Sequence, residues 1–567
     1  MLLLLCLRQK FFDKIIFFLF ALAVSVLPMV FVPWIRLEFE LPKAAVFKGI
    51  AIAIWAVLII KILIEKKIGI LGLRGWVGKA FWTGILGFVL ALAVASMLSW
   101  APWVSFFGSY LRQQGFLQFL FYILFFFAGV LVFEKKDFVR LFRYIGFGAV
   151  LVCVIAVMQR LFGGIDYRIF GTMGHPNFLG SYLVIAIPFL VGNCINGVGR
   201  GARFFWSSCV ILALITLFLT FSRAAILGLF VEILLMILIF WRAEIWKKIT
   251  MILIGIVAFS GIFAGSLFFA GEGSSFARLS GSGEGGVAIS TRLAIWPWAV
   301  EMVLERPVFG YGPEMFQELF ERKAPESFWD LENGGLGSGK LAADRAHNEL
   351  LDIAASSGLV GLLAYLCVFF CVLKIAWRGR GDVFVSAGFV SLISLFVVNM
   401  FGFSTTVHYV LWWAIAAMIV VSGGGKEILE LKFLKNLNGK ILAKIFVSLA
   451  VILTVFVSGW VIFNFSFRPI LADYKYMQAA NEVFAWRHLE ASNDFKEVLR
   501  ENPYEVFYAI SAAEHALLAY EDVRDNEKSL ILGNAEFFIN YAKILTGASF
   551  TKVAELEKKL SDLEMNR

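Results

Sequence analysis

The residues best suited to chemistry are arginines and histidines that interrupt or border long apolar stretches. Arg223 lies in Thr220-Phe221-Ser222-Arg223-Ala224-Ala225, Arg292 in Ser290-Thr291-Arg292, and His347 in Arg345-Ala346-His347-Asn348-Glu349. Arginine presents a fixed, always-charged fork of donors that matches phosphate oxygens. Histidine accepts and releases a proton near neutral pH. Arginines and a histidine at one site would suit a reaction in which a phosphate or pyrophosphate leaves and a hydroxyl is activated. Arg112, Lys43, Arg345, Asn348 and His175 are secondary candidates, and His408 lies in a further short loop. Each also has a reading without chemistry. Arg223 can snorkel from a tight turn to lipid headgroups, Arg292 can be a surface residue, His175 before Pro176 can be a turn residue, and His408 can be structural.

Competing chemistries find little support. There is no HExxH, no phosphate-binding glycine loop, and no GxSxG between a strand and a helix. No Asp-x-Asp pair stands in a loop to hold a metal, so the sequence predicts neither a metal nor a cofactor. The six cysteines (Cys6, Cys153, Cys194, Cys209, Cys367 and Cys371) fall in or beside apolar segments and form no CxxC pattern or disulfide framework.

The elements that must position these residues are membrane helices. Apolar residues make up 60% of the 567-residue chain, including 60 phenylalanines, against about 45–50% in a soluble domain. Runs of ~20 apolar residues read as spans. Twelve to thirteen are expected, near 14–33, 46–64, 81–100, 116–133, 144–162, 178–196, 204–221, 224–241, 249–270, 358–376, 383–403, 407–422 and 443–465. The first run lacks a small-residue cleavage site and reads as an uncleaved span. Lys and Arg collect in alternate short loops, such as Lys66, Lys67, Arg74 and Lys79, then Lys135, Lys136, Arg140 and Arg143. This alternation predicts a cytoplasmic N-terminus and, with an odd span count, an extracytoplasmic C-terminus. The expected fold is an all-α polytopic bundle.

Four parts follow in order. Residues 1–270 form the first part of the bundle, 271–357 a large extracytoplasmic insert, 358–465 the rest of the bundle, and 466–567 a polar helical tail. The net charge of +9 is mainly the topology signal, because the insert has 13 acidic and 7 basic residues and the tail 17 and 12. No basic stripe interleaved with aromatics is present, which argues against nucleic acid. Within the insert, Gly-Ser-rich stretches read as loops. A helix is predicted to start after Ser290 or Thr291 and to stop at Arg306-Pro307. Asp344 is the expected cap of the next helix, with His347 in its first turn. The tail's helix pairs, with small residues at contacts and Pro503 after the second helix, resemble tetratricopeptide repeats; an irregular bundle is the alternative.

Several motifs, in order, resemble the O-antigen ligase and O-antigen polymerase superfamily of bacterial membrane glycosyltransferases. They are Gly171-Thr172-Met173-Gly174-His175-Pro176-Asn177, Thr220-Phe221-Ser222-Arg223, Arg292-Leu293-Ala294-Ile295-Trp296, Arg306-Pro307-Val308-Phe309-Gly310-Tyr311-Gly312-Pro313 and Ala346-His347-Asn348-Glu349-Leu350-Leu351. The resemblance covers roughly residues 10–465. It implies a donor glycan on undecaprenyl pyrophosphate at the outer face of the bacterial inner membrane. It implies that Arg223 and Arg292 bind the pyrophosphate and that His347 activates the acceptor hydroxyl, with inversion at the anomeric carbon. The acceptor would be a lipid A core, a growing glycan, or a protein Ser or Thr, and the tail would suit a protein partner.

Two other classes compete. A transporter or flippase for a lipid-linked glycan would place charge near mid-membrane, where Glu232 is the main example in this chain. A scaffold would depend on the tail and not on His347.

Overall fold

The computed structural model describes residues 2–73, 75–163, 168–240, 284–323, 343–430, 441–547 and 550–565. The expected span at 249–270 and most of the Gly-Ser-rich stretches of the insert lie outside these residues; Glu284-Gly285-Gly286, expected as loop, instead begin a helix.

Among the described residues the fold is all-α apart from one small sheet. In chain order the bundle comprises α1 (Leu2–Ser25), α2 (Glu40–Glu65), α3 (Gly75–Met97), the short α4 (Pro102–Phe107), α5 (Phe116–Val132), α6 (Lys135–Gly163), α7 (Pro176–Ile195), α8 (Gly199–Leu219) and α9 (Arg223–Phe240). The insert contributes α10 (Glu284–Glu305) and α11 (Phe316–Lys323). The bundle resumes with α12 (Glu349–Arg378), α13 (Val383–Asn399), α14 (Thr406–Gly423) and α15 (Ile441–Ile462). Among the described residues, eight helices are long and apolar enough to cross a membrane, and α5 and α13 are shorter apolar helices. The chain is a multi-pass membrane protein.

Two expectations change. The first apolar run does not continue to residue 33, because α1 stops at Ser25 and Leu27-Pro28-Met29 forms a 3₁₀ turn; proline cannot continue the amide ladder. A two-stranded antiparallel sheet was also not anticipated. Strand β1 (Lys67–Gly72) pairs with β2 (Gly425–Glu430) in the register Lys67↔Glu430 and Leu71↔Lys426. Each strand is six residues long and its partner is remote in sequence, so local pattern carries no trace of the pairing. The sheet ties two of the basic loops at one end of the bundle, and the Lys135–Asp382 ion pair at 2.9 Å ties two more.

At the opposite end, α12 is broken. Gly358 has φ 67° and ψ −175°, which a residue with a Cβ rarely adopts. The break frees backbone groups on both sides, and these must find partners. The Pro307–Gly312 segment supplies them. Tyr311 and Gly312 donate to the carbonyls of Ala355 and Ser356 at 2.9 Å each, and Leu359 and Val360 donate to Pro307 and Val308 at 2.7 and 3.3 Å. The motif Arg306–Pro313 is thus a clamp on a divided membrane helix.

The tail comprises α16 (Arg468–Phe484), α17 (His488–Glu501), α18 (Val506–Ala519), α19 (Asp525–Thr546) and α20 (Thr551–Met565). It is seated on the loops of the bundle. The buried Asp473 carboxylate accepts from Tyr110 Oη (2.6 Å), Tyr508 Oη (3.0 Å) and the Leu37 amide (2.9 Å). Tyr110 also stacks on Phe507, with centroids 4.0 Å apart. Thr551 bonds Glu318 of α11 through its amide and hydroxyl. One apolar core joins Ala101 and Val104 of the bundle, Ile295, Ala299 and Met302 of α10, and Val506 and Leu545 of the tail.

Candidate functional site

A cavity of about 260 Å³ opens at the insert end of the bundle, lined among others by Arg112, His175, Asn177, Arg292, His347 and Phe403. Six separate stretches of sequence meet there.

His347 is held by its neighbours. The Ala346 amide donates to Asp352 Oδ1 (2.7 Å), and its carbonyl accepts from Trp296 Nε1 (3.1 Å). The helix cap is Asn348, not Asp344: its Oδ1 accepts from the amides of Leu350 (3.1 Å) and Leu351 (3.2 Å). His347 therefore precedes α12 and is not in its first turn. Its φ of 52° is left-handed and incompatible with the helix. A histidine held in this strained region by bonds on both sides is a feature that gathers at functional sites. Asp344 is used otherwise, in an ion pair with Arg112.

The Arg112 guanidinium lies 4.6 Å over the Phe403 ring and 5.7 Å over Phe178. The His347 ring lies 5.3 Å from that of Phe403. One aromatic surface thus orients both groups. Burial pushes the Asp344 carboxyl up, but the adjacent Arg112 outweighs this and holds it below the usual carboxylate range. Burial drives the His347 imidazole down to about 4; Asp344 pulls it up, and Arg292 and Arg112 pull it further down. Near neutral pH His347 is an uncharged imidazole able to take a proton.

Arg292 faces the cavity from within α10. The helix begins at Glu284, several residues before the expected cap at Ser290 or Thr291, so Arg292 lies in its interior and not at its first turn. Burial lowers the Arg292 pKa, and the charge of Arg223 lowers it further. Arg223 begins α9 after a tight turn in which Phe221 has φ 49°. Two like charges are thus brought together from two elements, an arrangement an anion would relieve.

A residue not anticipated as a site candidate joins them. Arg168 donates to the Thr220 carbonyl (3.0 Å) and to Asn177 Oδ1 (3.3 Å), tying the turn before Arg223 to the start of α7. The sequence signal was an arginine just before Gly171-Thr172-Met173-Gly174-His175. His175 lines the cavity and caps α7, its Nδ1 accepting from the Asn177 amide at 3.1 Å. Burial lowers its pKa to about 4, aided by Arg168 and Arg112.

The remaining candidates are drawn elsewhere. Lys43 is buried and donates to the carbonyls of Thr172 (2.7 Å) and Phe39 (3.2 Å), so it fastens α2 to the turn at Gly171–Met173 instead of facing the cavity. Arg345 forms an ion pair with Glu314 and lines a second, smaller cavity of about 30 Å³ beyond Phe403, with Glu349, Asp352 and Tyr409. Asn348 is engaged in capping, and its Nδ2 donates to the Met400 carbonyl (3.3 Å). His408 is fully buried, in a capping box with Thr405 and 3.0 Å from the Phe178 carbonyl.

Fold and site define a class: a polytopic α-helical membrane protein with a cationic, imidazole-bearing cavity at one end of its bundle. Residues 208–366 match the O-antigen ligase family model, a range that contains Arg223, Arg292 and His347. A protein of Rickettsia conorii named as a polysaccharide ligase is 25% identical over 122 residues, covering 22% of this chain and 28% of that protein. The chain spans about a quarter of the length of that curated relative.

Proposed function

We propose that the protein transfers a glycan from undecaprenyl pyrophosphate to an acceptor hydroxyl at the outer face of the cytoplasmic membrane. The observation that carries this reading is the convergence of Arg292, close to Arg223, with a neutral, buried His347 on one cavity. Arg223 and Arg292 hold the donor's pyrophosphate and His347 faces the acceptor. The acceptor oxygen attacks the anomeric carbon and its proton passes to His347. The bond from that carbon to the pyrophosphate oxygen breaks, and undecaprenyl pyrophosphate departs with the electron pair. The configuration inverts because attack and departure occur on opposite faces. The two arginines neutralise charge that develops on the leaving group, so their effect is largest in the transition state. The bound anion also raises the basicity of His347 when it is needed. A glycolipid core, a growing glycan or a protein hydroxyl fits this chemistry as acceptor, and the tail offers a surface for a partner protein.

One observation favours transport instead: Glu232, within α9, is buried with neither carboxylate oxygen hydrogen-bonded among the described residues. Intramembrane carboxylates of this kind mark ion pathways in transporters. Reconstitution separates the two readings. Purified protein in liposomes, given a lipid-linked oligosaccharide and candidate acceptors, should form a glycosylated product detectable by mass spectrometry. Movement of the lipid-linked glycan between leaflets without product would establish transport in its place.

A further inference from the structure

Helix α10 has three distinct faces. Ile295, Ala299 and Met302 are buried against the bundle. Glu301 and Glu305 are exposed, and both bond Lys323 of α11. Leu293, Val300 and Leu304 are also exposed, Leu304 at 73% of its surface, and their spacings of seven and four residues align them in a single stripe. At about 100° per residue, Arg292 falls on the flank between the buried face and this stripe.

The stripe does not end with the helix. Val308 continues it and is exposed, and the Val308 carbonyl accepts from the amide of Val360, itself exposed on α12. One turn further along the same membrane-crossing helix, Leu363 is 65% exposed. The apolar face of α10 is therefore continuous with the lipid-facing surface of a span. Where the two meet, Arg306 lies 4.6 Å over Tyr311 and 5.3 Å over Trp100. Aromatic and cationic side chains gather in this way at the level of lipid headgroups. Exposed in water, the stripe would be a liability; among acyl chains it is an anchor.

We propose that α10 is an interfacial helix, with Leu293, Val300 and Leu304 inserted among the phospholipid acyl chains of the leaflet on the insert side and Glu301 and Glu305 in water. The insert then lies on the membrane and does not stand away from it. One consequence rests on the transferase reading: Arg292 would sit at headgroup level, where the phosphates of a lipid carrier arrive without leaving the bilayer.

The test is photocrosslinking in the full chain, with p-benzoylphenylalanine placed singly at positions 300, 301 and 304, in nanodiscs of phosphatidylethanolamine and phosphatidylglycerol. Mass spectrometry should find phospholipid adducts at 300 and 304 at least ten-fold above those at 301. Equal yields at 301 and 304, or none at 304, would overturn the proposal, as would crosslinks from 304 to a second copy of the chain. Because this readout needs no turnover, it can fail while the transferase reading stands, and the reverse. If both hold, Leu304→Glu should raise the KM for a long-chain polyprenyl donor about ten-fold and leave that for a short-chain, water-soluble donor unchanged.

Discussion

Arg112 and Asp344 form an ion pair across 232 residues of sequence, and this pair fixes the segment that carries His347. Arg112 comes from the loop before α5, so the bundle grips the insert three residues ahead of His347, the proposed base. Breaking such a pair by removing one partner leaves a partly buried charge uncompensated. Asp344→Asn is expected to lower kcat/KM by one to two orders of magnitude and to reduce the melting temperature. Arg112→Gln should do the same, and the double variant should lose less than the sum of the two. A double-mutant cycle measures this coupling, and full additivity would show the pair to be incidental.

His347 gives a prediction with a defined sign in pH. Its pKa is lowered in the folded protein to about 4, below the ~6.5 of an unfolded histidine. The unfolded chain therefore binds more protons between these values. Stability from this group is complete above about pH 6.5 and is lost as pH falls toward 4. Asp344 acts in the same direction, because its lowered pKa gives stability that disappears in acid. The acid limb of kcat/KM in the free enzyme should lie well below 6. His347→Asn is the informative substitution, because asparagine tolerates the left-handed backbone at φ 52°. It should retain the wild-type melting temperature and lose about 10²–10⁴-fold in turnover, the usual contribution of general acid–base catalysis. Unchanged turnover would remove His347 from the base role.

The arginines should separate by kinetic signature. Arg292→Ala and Arg223→Ala remove charge from the proposed leaving-group site and should depress kcat as well as donor use. Arg292→Lys should recover only part of the loss, since a lysine cannot supply two parallel donors. Arg168→Lys should act less severely, because Arg168 ties the Thr220 carbonyl to Asn177 and so positions the turn before Arg223. Equal losses at Arg168 and Arg292 would place Arg168 against the substrate as well.

The membrane fold was legible because about twenty apolar residues in a row admit few alternatives. Arg223, Arg292 and His347 were legible as ordered motifs, and the structure sets the three around one end of the bundle. Local pattern could not reveal long-range partners. Lys43 and Arg345 have the same composition signal as a binding cation, yet one is taken by two carbonyls and the other by Glu314. Asp344 and Asn348 are both good caps, and the choice between them was made by Arg112, a residue 232 positions from Asp344. The role of Arg306–Pro313 was hidden for the same reason, since the helix break it repairs lies at Gly358.

Asp473 should govern whether the tail stays seated. It is fully buried and accepts bonds from Tyr110, Tyr508 and the Leu37 amide. Asp473→Ala would leave three buried donors without an acceptor, each costing about 1–3 kcal/mol. The expected result is rapid proteolytic release of α16–α20 with the membrane bundle intact. Protease resistance equal to wild type would show that packing alone, including the Tyr110–Phe507 stack, holds the tail.

Gly358 should be the least tolerant glycine of the clamp. A Cβ built there would lie 2.1 Å from the Val308 carbonyl oxygen and 2.3 Å from its carbon, both backbone atoms that cannot swing away. Its φ of 67° with ψ −175° adds backbone strain of about 1–3 kcal/mol for any other residue. Gly358→Ala must therefore push Val308 aside, break the Leu359–Pro307 and Val360–Val308 bonds, or straighten α12. Each outcome shifts the N-terminal half of α12 and with it Asn348 and His347. The melting temperature in detergent should fall by several degrees, and turnover should fall further than stability alone explains. Gly312→Ala is the control, because the nearest atom to its added Cβ is the Ser105 hydroxyl at 2.4 Å. Gly312 also has φ 98°, so it should be destabilised too, and pairing the substitution with Ser105→Gly should recover only the part of the loss due to crowding by Ser105, since Ser99 Cβ would still lie at 2.8 Å. No comparable rescue is open to Gly358→Ala, since the atoms it meets belong to the main chain.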